Sequence, residues 1–358
     1  MSPSHVTRVA LGALGVALVL GGGGCSSSPT APPSLSDPLT TAAQAAALDS
    51  AFTPPLVATF QTLDTALHAA WRASPGTDQY TRLVANVRTL RLLVPSFAAL
   101  GPSGIFPDSL LGSVYSWDTT SSAYVRSAKT GGPTTGIRFL LDSISPYTDR
   151  PATPLKQVGY ADFLDKSAGG TASLEIQISD GSTTYLDYTF SGSGTSTSFN
   201  ASVVGTITNG VSGTGNRTLG FNVTIQGTSA SATLTSTYTL NNPAVSAQET
   251  ATVADDGTTT TLTLGFTLSR SAEAVGVQGT VTVADASGVG SVNLTFTVNG
   301  ATFATIKGAA TNPTITKAGG GQLTAGELAA LEQLLLTAGD INDKLGQLFF
   351  PAEHAFGL

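Results

Sequence analysis

Large apolar side chains recur at every second position between residues 174 and 298. This period puts one side of each extended segment in a core and the other in water. Leu174, Ile176 and Ile178 alternate with Glu175 and Gln177, and Leu186, Tyr188 and Phe190 with Asp187 and Thr189. The same rule runs through Leu219, Phe221, Val223 and Ile225, then Leu234, Tyr238 and Leu240, then Leu262, Leu264, Phe266 and Leu268. It closes with Val275, Val277, Val281 and Val283, followed by Val292, Leu294, Phe296 and Val298. Asp180-Gly181, Asn209-Gly210, Asp256-Gly257 and Asn299-Gly300 punctuate the runs at a spacing of about ten residues, which marks consecutive antiparallel hairpins.

Registers follow from the turns. With Asn299-Gly300 as a two-residue loop, Val298 faces Ala301 and Phe296 faces Phe303. Asp256-Gly257 in the same geometry pairs Val253 with Thr260 and Ala251 with Leu262. At Asp180-Gly181 that geometry would set Ile176 against Tyr185 and turn Leu186, Tyr188 and Phe190 to the wrong side. Because a one-residue slip reverses every side chain, a three-residue loop or a bulge is expected there, aligning Ile176 with Leu186 and Leu174 with Tyr188.

The polar side of these strands is mostly Thr and Ser, which keep β propensity while staying hydrated. That is why charged residues are only 11% of 358, under half of the roughly 25% usual in soluble domains. A sheet polar on one side is covered on the other only, and roughly 13 such strands must curl, close or split. The expected fold is therefore mainly β (α+β): one long antiparallel meander over 106–310, forming a strongly curved sheet or barrel. Two sandwich domains are the second choice.

Helical periods flank the meander. In the N-terminal segment, 37–105, Asp37-Pro38 reads as a cap followed by Pro at the first helical position, and Pro54-Pro55 interrupts the Ala-rich helix that follows. Leu56, Phe60, Leu63, Leu67 and Trp71 make one stripe of an amphipathic helix that Pro75-Gly76 stops. Leu83, Val87, Leu90 and Val94 make a second, ended by Pro95. In the C-terminal segment, 311–358, Thr324 and Glu327 form a capping box, with Leu323 stapling onto Leu328. Leu328, Leu331, Leu335, Ile341, Leu345 and Leu348 continue one stripe to Pro351, with a break expected at Gly339-Asp340. Both helical segments are expected to cover the apolar side of the sheet.

The first residues give an address. Val9 to Leu20 is apolar but shorter than the ~20 residues a membrane span needs, which fits the core of a secretory signal. Gly21-Gly22-Gly23-Gly24 then leads into Cys25, the only cysteine. This segment resembles the lipobox of bacterial exported lipoproteins, in which small residues precede a cysteine that is lipidated and becomes the new N-terminus. The resemblance covers this segment alone. It implies a signal peptide at 1–24, lipidation of Cys25, a flexible tether at 25–36, and a membrane partner reached through lipid. Ser26 rather than Asp after the cysteine implies, by the same resemblance, the outer membrane, on its periplasmic face or at the cell surface.

The residues offer little chemistry. Net charge is −7, with 16 Lys+Arg against 23 Asp+Glu, so no field draws nucleic acid. One Cys and three His (His5, His68, His354) leave no basis for a disulfide framework or a metal centre, and no cofactor motif occurs. Lys129-Thr130-Gly131 matches the KTG box of serine β-lactamases, but no Lys has the Ser three residues before it that the nucleophile motif requires. Asp340-Ile341-Asn342-Asp343 opens like a calcium loop, yet Lys344 and Leu345 stand where an oxygen ligand and a glycine are needed; a helix N-cap is expected instead. Asp255-Asp256 belongs to a turn. No enzymatic activity is expected.

A recognition region, if there is one, is expected in the least repetitive part of the sheet, at Tyr115, Trp117, Tyr124 and Arg138. Arg138 lies within an apolar strand and needs a carboxylate such as Asp118 or Asp142. Two functions fit this plan. One is a lipid-anchored envelope protein that holds a hydrophobic ligand or partner segment on the concave side of the sheet, similar in overall architecture, though in no motif, to periplasmic lipoprotein-carrier half-barrels. The other is a structural or adhesive surface lipoprotein whose helices fill the core and whose Thr-rich side meets partners.

Overall fold

The structure, a computed structural model, describes residues 32–60 and 104–355, apart from 149, 170, 196, 229, 285, 286 and 289. The expected signal peptide, Cys25, His68 and the amphipathic stripes beyond Phe60 lie outside the described residues. Fifteen strands form a single open sheet. They are β1 (Val114–Asp118), β2 (Ala123–Arg126), β3 (Gly136–Asp142), β4 (Gln157–Asp165), β5 (Ala172–Ser179), β6 (Thr184–Gly194), β7 (Ser198–Thr208) and β8 (Thr218–Thr228). They continue as β9 (Ser231–Asn241), β10 (Ala244–Asp255), β11 (Thr259–Arg270), β12 (Glu273–Ala284), β13 (Gly290–Val298), β14 (Ala301–Ala309) and β15 (Thr314–Lys317). Helix α1 (Pro38–Ser50) precedes them and helix α2 (Ala325–Ala355) follows.

From β3 to β15 each strand lies beside its neighbours in sequence, all antiparallel. The one departure from the expected meander is at the start. There β1 pairs parallel with β3, with Tyr115 opposite Phe139, and β2 closes that edge. One continuous sheet with two free edges excludes both the closed barrel and the two-sandwich arrangement. β15 also shows that the strands run past residue 310.

The turns keep the expected faces but adjust the pairs. Asn299 and Gly300 both have positive φ (50° and 80°), as a two-residue hairpin of the primed type requires, and Val298 faces Ala301. A bulge after Phe296 then inserts Phe303, so Phe296 meets Ala304 rather than Phe303. At Asp180-Gly181 the expected irregularity occurs beside Ser179, and the pairs are Ile178 with Leu186 and Ile176 with Tyr188. At Asp256-Gly257 the loop is longer than two residues, because the Asp256 carboxylate accepts the backbone N–H groups of Thr258 and Thr259. Val253 therefore pairs with Leu262 instead of Thr260. Both shifts are by two residues, so every side chain stays on its face.

Asp37 caps α1 by accepting from the Thr40 N–H at 3.0 Å. The stretch before it is less free than a tether: Leu35 is buried and the Ser36 N–H bonds Glu273 at 2.8 Å. The capping box of α2 is formed, with Thr324 N–H to Glu327 at 2.8 Å and Glu327 N–H to the Thr324 hydroxyl at 3.2 Å. Contrary to expectation α2 runs unbroken through Gly339-Asp340 and Pro351. Ala338 and Ile341, both 0% exposed, anchor the helix on either side of the glycine. Pro351 forfeits only its own bond to the Gln347 carbonyl, and about one turn of helix lies beyond it. The buried stripe includes Leu334 and Phe349, and Leu328 is only half-buried.

Both helices cover the inner face. Phe52, just after α1, packs on Phe221 and Tyr238 (ring centroids 6.5 and 5.8 Å), and Phe349 of α2 on Phe190 (5.9 Å). The Tyr188 hydroxyl donates to the Leu348 carbonyl at 2.5 Å, and Lys344 ties α2 to Asp49 at the end of α1. Leu174, Ile176, Leu219, Val223, Leu262 and Leu294 are among the inward residues with no exposure.

Candidate functional site

The four residues singled out from the sequence do not form one site. Tyr115, Trp117 and Tyr124 share the inner face, where strand pairing sets Trp117 opposite Tyr124. There Tyr115 stacks on Phe139 (5.1 Å), Tyr124 meets Trp117 and Phe139 edge-on (both 5.5 Å), and Phe139 meets Phe163 (5.2 Å). Burial pushes the Tyr124 hydroxyl well above its ordinary value. The Arg138 side chain emerges on the opposite face. Its partner is neither Asp118 nor Asp142 but Asp162, directly across on β4, held by two bonds of 2.6 and 2.7 Å. The guanidinium also lies 3.8 Å over the Tyr160 ring. Asp118 instead accepts from Thr120 and Ser121 within its own turn. Asp142 is buried, and that burial raises its carboxyl. The rings pack together on the inner face, while the ion pair braces β3 to β4 on the outer one.

Lys129-Thr130-Gly131 lies in the loop between β2 and β3, and Asp340, Asn342 and Lys344 are in the middle of α2 rather than at an N-cap. Among the described residues no three His, Cys, Asp or Glu side chains converge as a metal site would require.

The outer face divides in two. Over β3–β6 it carries ion pairs: Arg138–Asp162, then Lys166–Glu175 (2.8 Å), with Gln177 bridging Glu175 and Asp187. Burial, then the neighbouring Glu175 charge, raises the Asp187 carboxyl. Over β7–β13 charge disappears. The charged residues in these seven strands are Glu249, Asp255, Arg270 and Glu273, and all four fall at inward positions. Every outward position is Thr, Ser, Asn, Gln, Gly or Ala, except Val204.

A depression of about 430 Å³ opens on this neutral face, lined by Thr250, Thr252, Thr263, Gln278, Asn293 and Thr295 around Gly265. The row Thr250–Gly265–Gln278–Thr295 crosses four strands, with Thr252 and Thr263 paired beside it. Two glycines line the hollow for different reasons. At Gly279, φ is +145° and a Cβ would fall 2.1 Å from the Asn293 carbonyl oxygen, so no other residue fits. At Gly265 φ is not positive, and the nearest atom to a Cβ would be the Thr250 carbonyl oxygen at 4.0 Å. Neither backbone nor crowding demands that glycine.

Sequence reasoning also passed over Glu249. It sits on the inner face, 1% exposed, within hydrogen-bond reach of Ser236 (3.4 Å) on β9 and Asn342 (2.6 Å) on α2. Burial pushes its carboxyl up to about 7 despite these bonds. The Tyr238 hydroxyl beside it and Asn342 Oδ1 are buried without a hydrogen-bond partner. The signal was in the sequence. Val245, Ala247, Ala251 and Val253 set the inward parity, and Glu249 shares it.

The chain matches no protein-family model, no curated protein and no solved structure.

Proposed function

We propose that the chain is a non-catalytic, lipid-anchored protein of the cell envelope. The helices fill the inner side of the sheet, and the neutral outer face of β7–β13 is the surface presented to partners. The observation that carries this is the contrast between the two faces of the same strands. Inward side chains such as Val223, Leu262 and Leu294 are sealed beneath α1 and α2, while the outward Thr, Ser, Asn and Gln remain open and uncharged. Support for the anchor comes from Gly21–Gly24 before Cys25, and Ser26 favours the outer membrane. Acyl chains at about 0.8 kcal/mol per buried CH₂ hold a protein at a membrane without a span. Among the described residues no helix is long and apolar enough to cross one.

The test is attachment of cells that carry the full chain to one another and to surfaces. Thr206→Glu with Thr239→Glu places two charges on the exposed outer face away from the depression, at positions that bear no core packing. Attachment is expected to fall at least tenfold with the chain still displayed at equal level. Unchanged attachment would overturn the reading.

A second reading is favoured by the polar spot at Glu249. A helix interface containing two orphaned polar atoms and a carboxyl raised by burial is locally imperfect, as a removable plug would be. In it, α2 leaves and a hydrophobic ligand or partner segment takes its place. Native mass spectrometry of the chain extracted from membranes separates the two: non-covalent lipid at fixed stoichiometry favours the plug, and bare protein favours the filled core.

A further inference from the structure

We propose that the depression over Gly265 is a binding site for neutral glycan. The proposal rests on the outer-face reading and names the ligand class for it. A glycine inside a strand weakens it, because it packs no side chain and costs more backbone entropy on folding. At Gly279 the backbone forces that cost, but at Gly265 it does not, so the space itself is the feature left to explain. Close approach of a ligand is one of the recognised uses of such a strand glycine.

The lining then selects the ligand by exclusion. There is no cation to hold phosphate, sulfate or carboxylate, and no anion for a basic partner, among the outward residues of β7–β13. The lining carries no large apolar side chain for an acyl chain to lie against, because Leu264 is buried on the inner face and the apolar surface of the hollow comes from small groups. The strands around the hollow are interior to the sheet and already paired on both sides, so an extended peptide has no edge to join. What is offered is a dense set of hydroxyls and primary amides: Thr250, Thr263 and Thr295 with Gln278 and Asn293. Each can both donate and accept, and the ligand that matches them is itself a rigid array of uncharged hydroxyls. The Thr rows extend across neighbouring strands, as with Thr224–Thr235–Thr250, so a chain of sugar units leaving the hollow continues over like chemistry.

The experiment uses the full chain in detergent and titrates it calorimetrically with maltohexaose, cellohexaose and N-acetylchitohexaose. A hyaluronan hexasaccharide serves as the acidic control. At least one neutral oligosaccharide is expected to bind with Kd at or below about 1 mM, and the acidic one to bind at least tenfold more weakly. Gly265→Val fills the hollow at a position where an added Cβ comes no nearer than 4.0 Å to the strands alongside. It is expected to leave the melting temperature unchanged or raise it, and to weaken binding at least tenfold. Should that variant fail to fold, Gln278→Ala carries the same expectation for binding. Absence of binding by all three neutral probes, equal binding by the hyaluronan, or undiminished binding in the filled variant would overturn the proposal. If attachment is lost in the Thr206→Glu, Thr239→Glu chain while no oligosaccharide binds, the glycan proposal fails and the outer-face reading stands.

Discussion

At the scale of single residues, Glu249 makes stability depend on pH. Its folded carboxyl titrates at about 7 against an ordinary 4.5, so between those values the folded chain holds a proton that the unfolded chain has lost. Stability therefore falls as pH rises through that window, by about 3 kcal/mol in all, and levels off above it. Asp142 and Asp187 are also raised and add slopes of the same sign. The lowered carboxyls of Glu273 and Glu327 act in the opposite sense, and only below their ordinary range. Glu249→Gln keeps a group able to accept from Asn342 and should remove most of the slope in denaturation midpoints measured from pH 5 to pH 8. A Gln variant with the full slope would assign it elsewhere. The inward parity of Glu249 was legible in its strand, whereas the Arg138 partner was not. The segment joining β3 to β4 carries no hairpin signal that fixes a register, so Asp162 could not be placed opposite Arg138 before the fold was seen.

At the scale of elements, period and capping chemistry carried most of the information. The caps at Asp37 and Thr324 formed as the residues dictate, because both satisfy N–H groups that have no other partner. Thr324→Ala removes the acceptor for the Glu327 N–H and breaks the reciprocal box, which Lys317 further braces by pairing with Glu327 at 2.8 Å. The expected loss is about 1 kcal/mol in chemical denaturation, and no loss would show that packing alone starts α2. What the sequence did not disclose is where an element yields to its surroundings. Gly339 and Pro351 are helix breakers by propensity, yet burial of Ala338, Ile341 and Ala352 against the sheet keeps α2 continuous. The bulge that inserts Phe303 and the two-residue shifts at Asp180 and Asp256 are of the same kind. Parity is fixed by burial, but the choice among registers of equal parity is made by local hydrogen bonds.

At the scale of the molecule, alternation made a long antiparallel meander with terminal helices on its apolar side legible. A curved sheet, a barrel and two sandwiches all bury one side of such strands, so the single open sheet emerged only with the fold. The parallel contact of β1 with β3 was not legible either, because two short strands flanked by Gly131-Gly132-Pro133 carry no sign of a crossover. For function the sequence offers an expected address and no chemistry, and Cys25 is where that expectation is tested. On the proposed anchor, Cys25→Ala is expected to move the chain from the membrane to the soluble fraction of lysed cells, since the variant has no thiol to carry lipid. Retention of the variant at the membrane would contradict the anchor while leaving the outer-face chemistry untouched.

Because neighbours in the sheet are almost everywhere neighbours in the sequence, a polypeptide delivered amino end first can lay down its strands one after another as they emerge. Helix α2, which packs on their greasy side, is encoded after all fifteen strands. Each newborn copy must therefore wait, its interior still wet, until the thirty-one residues of that helix arrive, and the hazard of sticking to its siblings is greatest in that interval.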